Sequence, residues 1–159
     1  ENELSHAAGA RIAHATGGPE VDAHLMTSIP GVFACGNVLH VHDLVDWVAE
    51  ESNRCGGEVI NYLAGAGQDK QQGQVAAGSN VRYVVPNFYI PGETNRFSLR
   101  ALVVKDHGEL LIKRDGAVCK RRKLRNIKPA EMLHVSVAAD ELPAPREGGV
   151  PPMVEVAIE

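Results

Sequence analysis

Two short stretches in the first half of the chain bring chemically useful residue types together. Gly36-Asn37 follows the apolar run Val32-Phe33-Ala34-Cys35, and His40-Val41-His42-Asp43 comes three residues later. A glycine closing a strand lets a ligand approach the backbone, and the N-terminus of a following helix offers N–H groups that have no intrahelical acceptor and carry partial positive charge. The corner formed by Gly36, Asn37, Val38, His42, Asp43, Leu44 and Val45 therefore suits an anionic or electron-accepting ligand. Imidazoles two apart share one face of an extended segment, and with Asp43 beside them they invite a metal reading. A third ligand is not apparent, so no metal site is read here. His42-Asp43 is expected instead to open the helix, with Asp43 capping its free N–H groups.

The remaining reactive types carry less. Cys35, Cys55 and Cys119 are odd in number and include no C-x-x-C pair, which excludes a disulfide framework and a zinc knuckle. They read as reduced thiols of a cytoplasmic protein. Cys35 lies inside the apolar run and is expected to be a buried small hydrophobe without a partner cysteine. Trp47, on the helix after the corner, reads as a core or groove residue. Residues 120–128 form the one dense basic run, with no aromatic interleaved, and read as a solvated strand face.

The elements that must hold these residues follow from pattern. The chain has 159 residues, of which 44% are hydrophobic, enough for a packed core and too many for a disordered chain. A net charge of −4 with 4% aromatic residues argues against nucleic-acid binding. No apolar run is long enough to span a membrane, and the acidic start Glu1-Asn2-Glu3 is unlike a signal peptide. Residues 1–81 carry three basic and ten acidic side chains, whereas 82–159 carry thirteen and ten, which predicts two modules. The Gly- and Gln-rich stretch 67–80 between them reads as a linker.

In the first module, residues 1–66, the Val32–Cys35 run predicts a buried strand, Glu3 to Ala8 a short helix, and residues from about 41–43 onward a long helix. Its apolar face is Val41, Leu44, Val45, Val48, Cys55, Val59, Ile60 and Leu63. Gly56-Gly57 is expected to kink or divide that helix, and Gly65 to stop it. In the second module, residues 81–159, the period falls to two. Strands are expected at 81–85, 97–104, 110–113, 117–120, 133–137 and 154–158, with a hairpin at Asp115-Gly116. The expected fold is thus an α/β strand–turn–helix segment followed by an all-β, antiparallel sandwich-like domain.

Thr27, Pro30, Gly31, Val32, Phe33, Ala34 and Gly36 resemble the T-x-x-P-G-[IV]-[FY]-A-x-G-D pattern of the pyridine nucleotide-disulfide oxidoreductase family, which includes thioredoxin reductase-like flavoproteins. Gly18-Pro19-Glu20-Val21-Asp22 resembles that pattern's lead-in. The resemblance covers about residues 1–66 and implies the last strand, turn and helix of an FAD domain. It implies further that the position of Asn37, where the family most often has Asp, meets the ribityl chain of FAD, and that the helix start faces the flavin. Asn can accept or donate a hydrogen bond there. His40 or His42 would then lie near the isoalloxazine ring.

The family's G-x-G-x-x-G turn and its nicotinamide-nucleotide domain have no counterpart in this sequence. Together with the lack of an initiator Met, this leads us to expect the C-terminal part of a longer FAD-dependent oxidoreductase. NAD(P) would be bound only through a domain outside this chain, and the chain alone would be inactive. Its expected partner is the rest of that flavoprotein or a partner subunit, and association between copies is expected through exposed apolar surface. The alternative from another class is a non-enzymatic β-sandwich interaction module that uses the basic run as its contact.

Overall fold

The computed structural model describes residues 2–66, 70–145 and 149–159. The chain divides into two compact units, Glu1–Lys70 and Gln71–Glu159. No helix among the described residues is long and apolar enough to cross a membrane.

The first unit opens with helix α1 (Glu3–Ala7), where the sequence places it. Three isolated bridges follow, pairing Ile12 with Pro19, Val21 with Thr27 and Met26 with Phe33. Buried Asp22 organises the turn between them, accepting the N–H of His24 at 2.9 Å and of Met26 at 3.0 Å through Oδ1. Leu25, fully buried, holds φ +65 in that turn. The expected strand at Val32–Cys35 is not a regular strand. It forms only the bridge at Phe33, and Val32 is exposed while Cys35 is half-buried. A strand acquires its regularity from a ladder of partners, and no named strand of this unit lies beside this run among the described residues.

A single 3-10 turn at Gly36–Val38 leads through a loop to helix α2 (Val45–Leu63). The helix starts later than its apolar spacing suggests, and its N-cap position is taken by Leu44, which has no side-chain cap, and not by Asp43. The loop is drawn back against the body of the helix by contacts described below, which delays the first helical turn. Gly56-Gly57 neither kinks nor divides α2. Both glycines face open space and interrupt no packing, so they lower propensity without breaking the hydrogen-bond ladder. Gly65, at φ +80, ends the helix as expected, with Gly65 N–H on the Tyr62 carbonyl and Ala66 N–H on that of Asn61, both 2.9 Å. The predicted apolar face is only partly inward. Cys55 and Glu51 are the buried residues of the helix, whereas Val45, Ile60 and Leu63 are exposed.

The second unit is β-rich, with eight strands in two sheets among the described residues. Strand β1 (Gly73–Ala77) lies inside the stretch read as linker, of which residues 67–69 are outside the described residues. It went unread because small residues on a strand leave no apolar alternation to detect. The others are β2 (Val81–Val85), β3 (Phe88–Tyr89), β4 (Asn95–Ala101), β5 (Lys105–Arg114), β6 (Ala117–Ile127), β7 (Met132–Val137) and β8 (Val154–Ile158). One sheet has the order β3-β1-β8-β5-β6 and the other β2-β4-β7.

The pairing is antiparallel except for β1 with β8, which is parallel, so the purely antiparallel sandwich needs that correction. Phe97, Leu99, Leu110, Ile112, Val137, Val156 and Ile158 form the core, and they are the alternating positions the sequence marks. The β5–β6 hairpin turns at Asp115 and Gly116, both with positive φ. The basic run lies on β6, at the end of its sheet. It is largely solvated, with Arg121 paired to Glu109 and Lys120 to Glu141.

Candidate functional site

The turn at Gly36–Val38 is held from behind by α2. Gly36 takes φ +68, a conformation that favours glycine, and a Cβ there would meet Val48 Cγ1 at 3.3 Å. Its N–H donates to Glu51 Oε1 at 2.7 Å. Glu51, two helical turns in from the helix start, is buried on the inward face and also receives both histidines of the loop. His40 Nε2 lies 3.1 Å from Oε2, and His42 Nε2 lies 3.2 Å from Oε1. The imidazoles stand edge to face with centroids 4.4 Å apart. The three side chains are 0%, 2% and 7% exposed for His40, His42 and Glu51. One carboxylate thus fastens the turn and the loop onto the helix.

The electrostatics agree with this assignment of roles. Burial pushes the Glu51 carboxyl up, but the His40 hydrogen bond and charge, the Gly36 N–H and the charge of His42 together outweigh it and hold the pKa below the ordinary value. His42 is pushed down by burial and then by His40, against the opposing pull of Glu51 and Asp43. An anionic carboxylate between buried imidazoles is the resulting state near neutrality.

Gly18 supports the turn from the other side. A Cβ at Gly18 would lie 2.2 Å from the Leu39 carbonyl oxygen and 2.6 Å from that of Val38. The backbone of residues 38–39 therefore rests directly on a position that only glycine can occupy.

The outward side of the corner is built from the residues the sequence singles out. Asn37 is exposed and accepts the His42 N–H through Oδ1 at 3.1 Å, which closes the loop. Its amide NH2 enters none of the hydrogen bonds among the described residues. Val38, Asp43, Leu44 and Val45 are exposed around the uncapped helix start, and so is Val41. Gly36 is buried, and His42 contributes its main-chain N–H to the turn while its ring faces inward. The structure therefore joins Gly36, Asn37 and His42 by hydrogen bonds and leaves Val38, Asp43, Leu44 and Val45 at the rim. Neither imidazole stands on the outward face where a flavin ring was expected to meet it.

Sequence reasoning missed Glu51 and the spatial role of Gly18. The signal for Glu51 was present, since Val48, Glu51 and Cys55 are spaced three and four apart and a carboxylate on such a stripe calls for partners. Gly18 carried no signal beyond its glycine neighbour, because the need for space there arises from residues twenty positions away. Cys35 also differs from expectation in having a neighbouring thiol. Burial first, and then the charge and hydrogen bond of Cys35, push the Cys55 pKa up to about 12, which keeps Cys55 a thiol and a poor nucleophile. Cys35 itself lies 3.8 Å from Ser52 Oγ.

A second feature of this unit is a cavity of about 80 Å³ lined by Asp22, His24, Phe33, Glu58 and Tyr62 among others, where His24 Nδ1 meets Glu58 Oε2 at 2.8 Å. It is far smaller than the several hundred Å³ typical of a cofactor site. The chain matches no family model, no curated protein and no solved structure.

Proposed function

We propose that this chain supplies the flavin-facing corner of an FAD-dependent oxidoreductase, with the dinucleotide-binding part contributed by another segment or subunit. The observation that carries the reading is the two-sided build of residues 36–45. Their inner side is locked by Glu51 and Gly18, and their outer side is an exposed, uncapped helix start rimmed by Val38, Val41, Leu44 and Val45. A self-contained domain gains nothing from exposing four large aliphatic groups around the positive end of a helix that its N-cap side chain leaves uncapped, whereas a ring system that is apolar on its faces and electron-poor at its edge is matched by both features.

The residues present fit such a group on a further point. With Asn37 Oδ1 engaged by the His42 N–H, the amide NH2 is the part of that side chain left to donate to a ribityl hydroxyl. FAD, when bound, supplies hydride transfer. The chain's own residues orient the ribityl chain and place the positive end of α2 beside the ring. The resemblance of residues 18–36 to the closing strand and turn of the pyridine nucleotide-disulfide oxidoreductases supports the same reading. It also gives the run Val32–Cys35 a reason for its extended backbone, because in an FAD domain that segment is the last strand of a larger sheet. Electrons would reach this flavin from a substrate or from a nicotinamide nucleotide bound elsewhere in the assembly.

The test is the flavin content of the assembled protein, prepared with its dinucleotide-binding part. Wild type is expected to hold about one FAD per chain, and Asn37→Leu to weaken binding by roughly tenfold, the loss of one hydrogen bond to a ligand. Unchanged flavin affinity in Asn37→Leu would remove the assignment and leave the interaction-module reading, in which the basic strand β6 is the contact.

A further inference from the structure

The His40–His42–Glu51 cluster is used above only as a clamp, yet its donor atoms are arranged as a coordination sphere. We propose that His40 Nε2, His42 Nε2 and the Glu51 carboxylate bind one divalent transition-metal ion of the zinc type, independently of any flavin.

Around a tetrahedral ion with ligand bonds of about 2.0–2.2 Å, neighbouring donor atoms lie roughly 3.3–3.5 Å apart. In this protein the two nitrogen–oxygen separations are 3.1 and 3.2 Å, and one donor atom from each of the three residues lies within 4.8 Å of the others. Each imidazole nitrogen lies within hydrogen-bond distance of a different oxygen of Glu51. A bidentate carboxylate would then fill four positions without a bound water, which suits side chains that are at most 7% exposed. Two imidazoles and a carboxylate are a donor set shared by zinc and its first-row neighbours, and calcium or magnesium would require more oxygens.

The outer shell is partly built. The Gly36 N–H orients Glu51 through the second lone pair of Oε1, at 2.7 Å. His42 Nδ1 is buried with no hydrogen-bond partner among the described residues. When the ion replaces the proton on Nε2, the ring proton moves to Nδ1 and finds no acceptor there. That defect places the affinity about 10- to 100-fold below that of a site with a complete outer shell, so the ion is exchangeable and is stripped by chelators.

The experiment uses the 159-residue chain, freed of metal with a chelator and titrated with Co2+ followed by Zn2+. One Co2+ per chain with the visible absorption of a four-coordinate ion, displaced by one equivalent of Zn2+, is expected. Glu51→Gln is expected to weaken binding at least tenfold. His42→Ala removes one nitrogen ligand while leaving Glu51 on the Gly36 N–H and on His40, and is expected to weaken binding at least tenfold as well. No visible cobalt band in the wild type would overturn the site. A cobalt band that persists at unchanged affinity in both Glu51→Gln and His42→Ala would equally overturn it by placing the ion elsewhere.

Discussion

Replacing Glu51 with Ala is expected to destabilise the first unit by about 3–5 kcal/mol, the usual consequence of removing one partner from a buried ionic network. The magnitude follows from what is left behind. Gly36 loses the acceptor for its N–H, and two imbedded imidazoles lose the anion that both of them face. Each stranded buried polar group costs about 1–3 kcal/mol. Glu51→Gln keeps the shape, an acceptor for Gly36 and a donor for one histidine, and is expected to cost about 1–2 kcal/mol on the same scale. Trp47 is the only tryptophan of the chain and lies on α2, so its fluorescence reports unfolding of this unit without contribution from the β-rich unit. Equal midpoints for Glu51→Ala and wild type in a urea titration would mean that the carboxylate does not hold the turn.

Gly18→Ala is the second large effect, and its origin is steric. A methyl group 2.2 Å from one backbone oxygen and 2.6 Å from another cannot be relieved by rotating a side chain, because both neighbours are main-chain atoms of residues 38–39. Overpacking of this kind costs about 1–3 kcal/mol or more, and the close backbone contact places Gly18→Ala at the upper end. The strain must be relieved by displacing the segment that carries Asn37, His40 and His42. The variant is therefore expected to lose flavin affinity in the assembled protein as well as stability. Gly17→Ala is the informative comparison, since that position has open space and only its φ of +73 resists a side chain. It is expected to cost about 1 kcal/mol through backbone strain alone and to leave the turn in place. Measuring both variants by Trp47 fluorescence, alongside flavin content, separates the two contributions.

The contrast between these glycines shows what the sequence makes legible. A positive φ announces itself locally, as at Gly65 and Asp115-Gly116, because the turn or helix stop is a property of neighbours along the chain. A close approach such as that at Gly18 depends on what the fold brings from far away. The same division runs through the elements. Strands β2, β4, β7 and β8 were readable because large apolar residues recur along them, and β5 and β6 only in the parts beside the Asp115-Gly116 turn, but β1 was hidden by its Gly, Gln and Ala composition and by its position in a stretch that looks like a linker.

The helix start was misread for a related reason. Apolar residues at 41, 44 and 45 continue the helical spacing, yet they point outward, and the segment before Val45 is held in a loop by His40, His42 and Asn37. Hydrophobic periodicity assumes that apolar groups face the protein's own core, and at this corner they do not. The residues that sequence reasoning proposed for the outward face are nonetheless gathered at one turn. The carboxylate that fastens Gly36, His40 and His42 was overlooked because it sits among acidic residues that are mostly solvated.

Flavin binding by this protein requires the outward side of residues 36–46 to be a binding face. The most direct measurement is hydrogen exchange on the assembled protein with and without FAD, followed on peptides spanning this segment. Slowed exchange upon FAD binding, concentrated at the Asn37 turn and the first turn of α2, is the predicted result. Flavin bound at full occupancy with unchanged exchange across that segment would contradict it.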